Sequence, residues 1–85
     1  GFPKPVLAIN NFKATQIFYM GDERQHVKLK NGNVDLIMWG LSEWYKEIGE
    51  PELVKAIGFP ELNVWNNRVT VQFVVQDDLV RPVTA

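Results

Sequence analysis

Cysteine is absent from the 85 residues of this chain, and histidine occurs once, as His26. The first absence excludes a disulfide framework and thiolate metal sites. The second leaves Ser42 and the threonines without an obvious base, so no nucleophile–base pair stands out. Gly21, Gly32, Gly40, Gly49 and Gly58 are isolated from one another, which excludes a glycine-rich phosphate loop. The adjacent acids Asp77 and Asp78 would point to opposite faces of a strand, too few convergent oxygens for a hard cation. No apolar run approaches the roughly 20 residues that cross a bilayer, and no signal peptide opens the chain. Membrane partners are therefore not expected, and a cytoplasmic location is. The net charge of −1 supplies no excess of cations for phosphate binding. Taken by itself, this segment is expected to be neither an enzyme nor the holder of a cofactor or metal.

The residues that are present point to a folded chain. Hydrophobic residues make up 46% of the sequence, well above the range of disordered segments. The length gives one domain, residues 1–85, near the lower limit for a self-sufficient core. A small fold with no staples must pack efficiently, which suits a closed or nearly closed sheet. Charge is unevenly spread. Lys4, Lys13, Arg24, Lys28 and Lys30 lie early, whereas Glu43, Glu47, Glu50, Glu52 and Glu61 load the middle. That asymmetry can give a basic and an acidic face, or serve solubility alone. The chain opens at Gly1 on an extended Pro3-Lys4-Pro5 segment, read as a linker (residues 1–5) entering from an absent, longer region. Residues 80–85 read as a polar tail.

Strand signals dominate. Val6 to Met20 is long enough for one bent strand or two short ones, with the bend at Asn10-Asn11. Gly21-Asp22-Glu23 reads as a turn. Gln25 to Lys30 alternates strictly, with Val27 and Leu29 on one face and His26, Lys28 and Lys30 on the other. Asn31-Gly32 is a strong hairpin signal, leading into Val34 to Trp39. Centred on that dipeptide, the hairpin pairs Lys28 with Asp35, His26 with Ile37 and Arg24 with Trp39. Leu41, Trp44, Tyr45 and Ile48 then fall at helical spacing, with Ser42 as N-cap and Gly49 as terminator. Leu53 to Ile57 opens a fourth strand that Gly58 and Pro60 interrupt, as a bulge or sharp coil would.

The last hairpin organises the rest. Asn66-Asn67 suits the positive φ angles of a two-residue primed turn. It pairs Trp65 with Arg68, Val64 with Val69, Asn63 with Thr70 and Leu62 with Val71. Leu62, Val64, Val69, Val71, Phe73 and Val75 are expected on the core face, and Glu61, Asn63, Trp65, Arg68, Thr70 and Gln72 on the opposite one. Three strands, a short helix and two strands describe an all-β OB-fold, a five-stranded Greek-key barrel. An SH3-like barrel is the nearest competitor.

A single-strand nucleic-acid surface needs cations for phosphates and aromatics for bases. Arg24, His26, Lys28 and Lys30 are the candidate cations; Trp39 and Trp65 are the candidate stacking residues. Asn63, Arg68 and Gln72 join them as polar partners. Each also has a structural reading. Lys28 pairs with Asp35, Arg24 lies over Trp39, Trp65 covers the barrel mouth and holds Arg68, and His26 is merely solvated.

Three stretches resemble the C-terminal OB domain of RecJ-type single-stranded-DNA-specific exonucleases. Gly1 to Val6 looks like the segment by which such chains leave their second catalytic domain. Gln25 to Leu29 resembles the family's H-L-K-L strand, and Leu62 to Arg68 its N-x-W-N-G turn, with Gln72 and Asp77 following at family-like spacing. Asn67 stands where the family often has glycine. The resemblance implies an accessory clamp that holds single-stranded DNA and guides its end to a 5′-to-3′ nuclease core. Hydrolysis and its divalent cations would belong to that core, which lies outside this chain. A protein-docking module is the alternative, in which the hairpin packs on the parent's catalytic domains or on a partner through Trp65.

Overall fold

Residues 5–83 are described in the computed structural model. The elements are β1 (Leu7–Lys13), β2 (Gln16–Met20), β3 (His26–Asn31), β4 (Val34–Met38), α1 (Ser42–Glu47), β5 (Leu53–Trp65) and β6 (Arg68–Pro82). The strands form one sheet in the order β1-β5-β6-β4-β3-β2, with β4 and β6 parallel and the other pairs antiparallel. Its two edge strands are consecutive in the chain, and the step between them joins the edges. Ala14 N–H donates to the Glu52 carbonyl (2.7 Å) beside β5, and Thr15 N–H to the Lys30 carbonyl (2.8 Å) on β3. One residue step thus hands the chain from one side of the barrel to the other. This is the expected OB-fold, with six strands rather than five because the first is broken at Ala14-Thr15. The register shift between Ile9 and Phe12 places a bulge at the expected Asn10-Asn11 bend.

Val27, Leu29, Leu36, Met38, Tyr45, Val54 and Val80 are completely buried and fill the barrel with Phe12, Ala14, Ala56, Phe73 and Val75. Helix α1 supplies Tyr45 to this core, and the Tyr45 hydroxyl donates to the Pro51 carbonyl (2.6 Å). Burial first, then Glu50 and Glu52, pushes the Tyr45 pKa up to about 12. Tyr19 donates its hydroxyl to Glu50 Oε2 (2.6 Å), and burial together with that carboxylate also raises its pKa.

Several sequence expectations are corrected. The β3–β4 hairpin turns at Gly32-Asn33, not Asn31-Gly32, so Lys30 faces Asp35 and Lys28 faces Ile37. Gly32 alone of the two has a positive φ, the pattern of a type II′ turn. Because the slip is two residues, each side chain keeps its expected face. Ser42 makes no side-chain cap; Leu41 holds that position, and Ser42 is buried. The bulge expected at Gly58 is present, as a register shift between Ala56 and Gly58, but β5 runs on through Pro60 to Trp65 without a break. Nor is 80–85 a polar tail as far as it is described. After a bulge at Asp77, β6 resumes pairing with β5, and Val80 enters the core. The expected linker falls mainly on residues 1–4, outside the described residues.

Gly58 leaves no room for a side chain against β6: an added Cβ would run into the Val74 carbonyl. Gly58→Ala is expected to lower unfolding free energy by about 1–3 kcal/mol or more, as overpacking does, measured by urea denaturation. A raised tyrosine pKa favours the neutral, folded form, so its stabilisation is complete below pH ~10 and is lost as pH rises toward ~12. Tyr45→Phe is expected to make that alkaline fall shallower, as followed by circular dichroism.

Candidate nucleic-acid interface

Strand parity gathers the candidate residues. Side chains at His26, Lys28 and Lys30 on β3 and at Asp35, Ile37 and Trp39 on or just after β4 point out of the barrel, since Val27, Leu29, Leu36 and Met38 point in. The parallel ladder sets Gln72 beside Asp35. The β5–β6 register then sets Glu61 beside Gln72, Asn63 beside Thr70 and Trp65 beside Arg68. His26, Lys28, Lys30, Trp39, Asn63, Trp65, Arg68 and Gln72 therefore share one outer surface. Arg24 stands apart in the β2–β3 turn, with φ 54°.

Two aromatic contacts organise one end of this surface. The His26 ring meets Trp39 edge-on, with centroids 4.9 Å apart and planes at 79°. Gly40 N–H donates to His26 Nδ1 (2.7 Å), tying the start of β3 to the turn after β4. Trp39 thus packs on His26 and not on Arg24. Lys28 Nζ lies 5.4 Å from the centroid of Phe18, its cross-strand partner on β2. His26 and Lys28 are two residues apart, so the two contacts repeat at about 6.7 Å along β3. Trp39 is 53% exposed and Phe18 41%, which leaves ring surface open to a ligand beside each cationic or imidazole group. Ile37 between them is buried, which gives the surface an apolar floor.

The other end is polar. Lys30 Nζ is 3.8 Å from Asp35 Oδ1, an oxygen that is buried and accepts no hydrogen bond. Asn63 Nδ2 donates to Gln72 Oε1 (3.0 Å), across the β5–β6 pair. Both φ angles at Asn66 and Asn67 are positive, 49° and 62°, as a type I′ turn requires. Trp65, beside that turn, is 77% exposed and covers no barrel mouth.

Phe18 is the residue that sequence reasoning misses. Its segment reads as one bent strand or two short ones with no faces assigned, and only its pairing with Lys28 marks it. Lys28 is free of Asp35, which Lys30 engages instead. Among the described residues, no group of three or more His, Asp or Glu side chains is placed to hold a metal ion. No described helix is long and apolar enough to cross a membrane.

The model of the RecJ OB domain family matches residues 1–77. This chain belongs to the RecJ OB domain family. A crystal structure of RecJ from Thermus thermophilus, in complex with Mn2+, superposes with a TM-score of 0.62 at 18% identity, over 98% of this chain and 12% of that one. At that identity the likeness is one of fold. The chain spans about one-eighth of the length of the RecJ chain it matches. No curated protein matches it.

The Lys30–Asp35 contact yields a prediction. Lys30→Ala leaves a largely buried carboxylate without its cation and is expected to lower stability by about 0.5–1 kcal/mol, the range of a partly exposed pair. Adding Asp35→Asn is expected to recover most of that loss. A double-mutant cycle by chemical denaturation measures it, and two losses that simply add would exclude the coupling.

Proposed function

We propose that this RecJ OB domain is a non-catalytic module that binds single-stranded DNA and guides it toward a 5′-to-3′ nuclease core carried elsewhere in the polypeptide. The observation that supports this most is the pair of contacts along β3, Lys28 on Phe18 and His26 on Trp39, on the sheet face that OB-folds use for oligonucleotides. In this reading, consecutive bases stack on Phe18 and Trp39, while Lys28, Lys30 and Arg24 follow the phosphates. His26 positions Trp39 and offers its Nε2–H to the strand. Asn63, Gln72, Trp65 and Arg68 extend the track along the β5–β6 ribbon, as the corresponding loop does in other OB-folds. With a net charge of −1, stacking must contribute much of the affinity. Hydrolysis and its divalent cations are assigned to the core, and a cytoplasmic setting is part of the same proposal.

The test is fluorescence anisotropy of a labelled single-stranded oligonucleotide titrated with the 85-residue chain at two salt concentrations, with a duplex control. Binding is expected to favour the single strand and to weaken with salt. Phe18→Ala and Trp39→Ala are each expected to cost about 1–3 kcal/mol. Lys28→Ala with Lys30→Ala is expected to weaken binding and to lower the salt slope by roughly one to two counterions. Unchanged affinity and slope in the lysine double variant would remove that assignment.

A further inference from the structure

Among the described residues, no third strand pairs with the ribbon of β5 and β6 between Leu62 and Thr70: β4 pairs with β6 only from Val34 to Ile37, against Val71 to Val74, and β1 pairs with β5 only as far as Gly58. One face of this ribbon carries Asn63, Trp65, Arg68 and Thr70 and continues the outer surface of the barrel. The other carries Leu62, Val64 and Val69, in phase with the core residues Phe73 and Val75. The sequence pattern predicts this second face as core. It is not: Leu62 and Val64 are each 70% exposed and Val69 51%. The inward face simply outruns the barrel that covers it. A two-stranded ribbon is marginally stable by itself, and clustered exposed aliphatic side chains on its face mark an interaction surface.

We infer that the Leu62–Val64–Val69 face docks on a protein surface within the same polypeptide, so that the ribbon is held on its apolar side and presents its Trp65 side. The chemistry selects protein over nucleic acid, since three aliphatic side chains neutralise no phosphate and offer no ring to a base. The area selects a tethered protein over a second copy. Three such side chains present on the order of 100 Å² each, against the ~800 Å² per partner of a stable free complex. A surface joined covalently needs far less area, because the linkage sets an effective concentration near millimolar. The RecJ chain that this domain resembles in fold has about seven-eighths of its length outside the matched region, ample surface for the purpose. The inference uses the opposite face of the ribbon from the single-strand reading and does not depend on it.

The experiment places the photo-crosslinking residue p-benzoylphenylalanine at position 64, in place of Val64, in the full-length polypeptide that carries this domain. Products are resolved by mass and mapped by peptide, with and without a single-stranded oligonucleotide. The expected product has the mass of one chain and joins position 64 to a residue outside this domain, in the same yield with the oligonucleotide present. A product of twice the mass, a crosslink to the oligonucleotide, or no crosslink overturns the inference. In parallel, Leu62→Ser with Val64→Ser in the full-length chain is expected to speed amide hydrogen exchange at residues 62–69 by tenfold or more; unchanged exchange also overturns it. Lys28→Ala with Lys30→Ala in the same chain is expected to leave the position-64 crosslink intact. Loss of single-strand binding and loss of docking are thereby read separately.

Discussion

The single step from Ala14 to Thr15 decides the architecture. A sheet of order β1-β5-β6-β4-β3-β2 has two open edges until the chain passes between them, bonding to Glu52 on one side and Lys30 on the other. Thr15 Oγ1 also donates to the Lys30 carbonyl (2.9 Å), and Asn31 Nδ2 to the Lys13 carbonyl (2.8 Å), so both halves of the broken strand are fastened at the seam. Closure removes exposed edges, which a small protein without disulfides manages poorly. It also curves the sheet, and the curvature has to be absorbed somewhere. It is absorbed at Gly58, whose missing Cβ lets β5 lie against the Val74 carbonyl, and at the bulge around Asp77.

Closure also fixes which side chains are available for function. Each strand has one inward and one outward series, and the inward series is consumed by the core. The outward series on β2, β3 and β4 leaves Phe18, His26, Lys28, Lys30, Asp35, Ile37 and Trp39 outside, brought side by side by the pairing of three strands. Four acidic residues lie elsewhere, Glu43 and Glu47 on α1 and Glu50 and Glu52 just after it, while Asp35 and Glu61 share the outer surface with the cations. At the other limit of β5 and β6 the same parity has the opposite consequence. Inward residues continue past the end of the barrel, and side chains that elsewhere make core become surface.

Much of the hairpin geometry is legible in the residues alone. The Asn66-Asn67 turn and every cross-strand pair from Leu62–Val71 to Trp65–Arg68 follow from local turn chemistry, and the structure has them all. The core residues of β3 and β4 follow from alternation, which a two-residue slip cannot invert. The slip itself is not legible, because Asn31-Gly32 and Gly32-Asn33 each supply a glycine for a primed turn, and the choice between them rests on pairing with β2 and β6. The Lys30–Asp35 contact, the His26–Trp39 contact and the role of Phe18 all depend on that register. Val80 escapes a sequence reading for a related reason. Asp77-Asp78 looks like the end of a strand, but β5 is long enough to pair with the residues beyond it, from Val80 to Pro82.

Local physics thus determined, from the sequence by itself, most of the strand and helix segments, the Asn66-Asn67 turn, the inward and outward series of β3 to β6 and the OB class of barrel. These depend on backbone conformational preference and on a period of two, both written in neighbouring residues. Only the tertiary structure decided where the barrel ends. Alternation says which way a side chain points, but whether anything is there to meet it depends on how far β4 runs beside β6. That length is set by contacts between residues far apart in the chain, as in the pairing of Val34 with Val71. Leu62, Val64 and Val69 point inward as their sequence requires, and the barrel stops short of them.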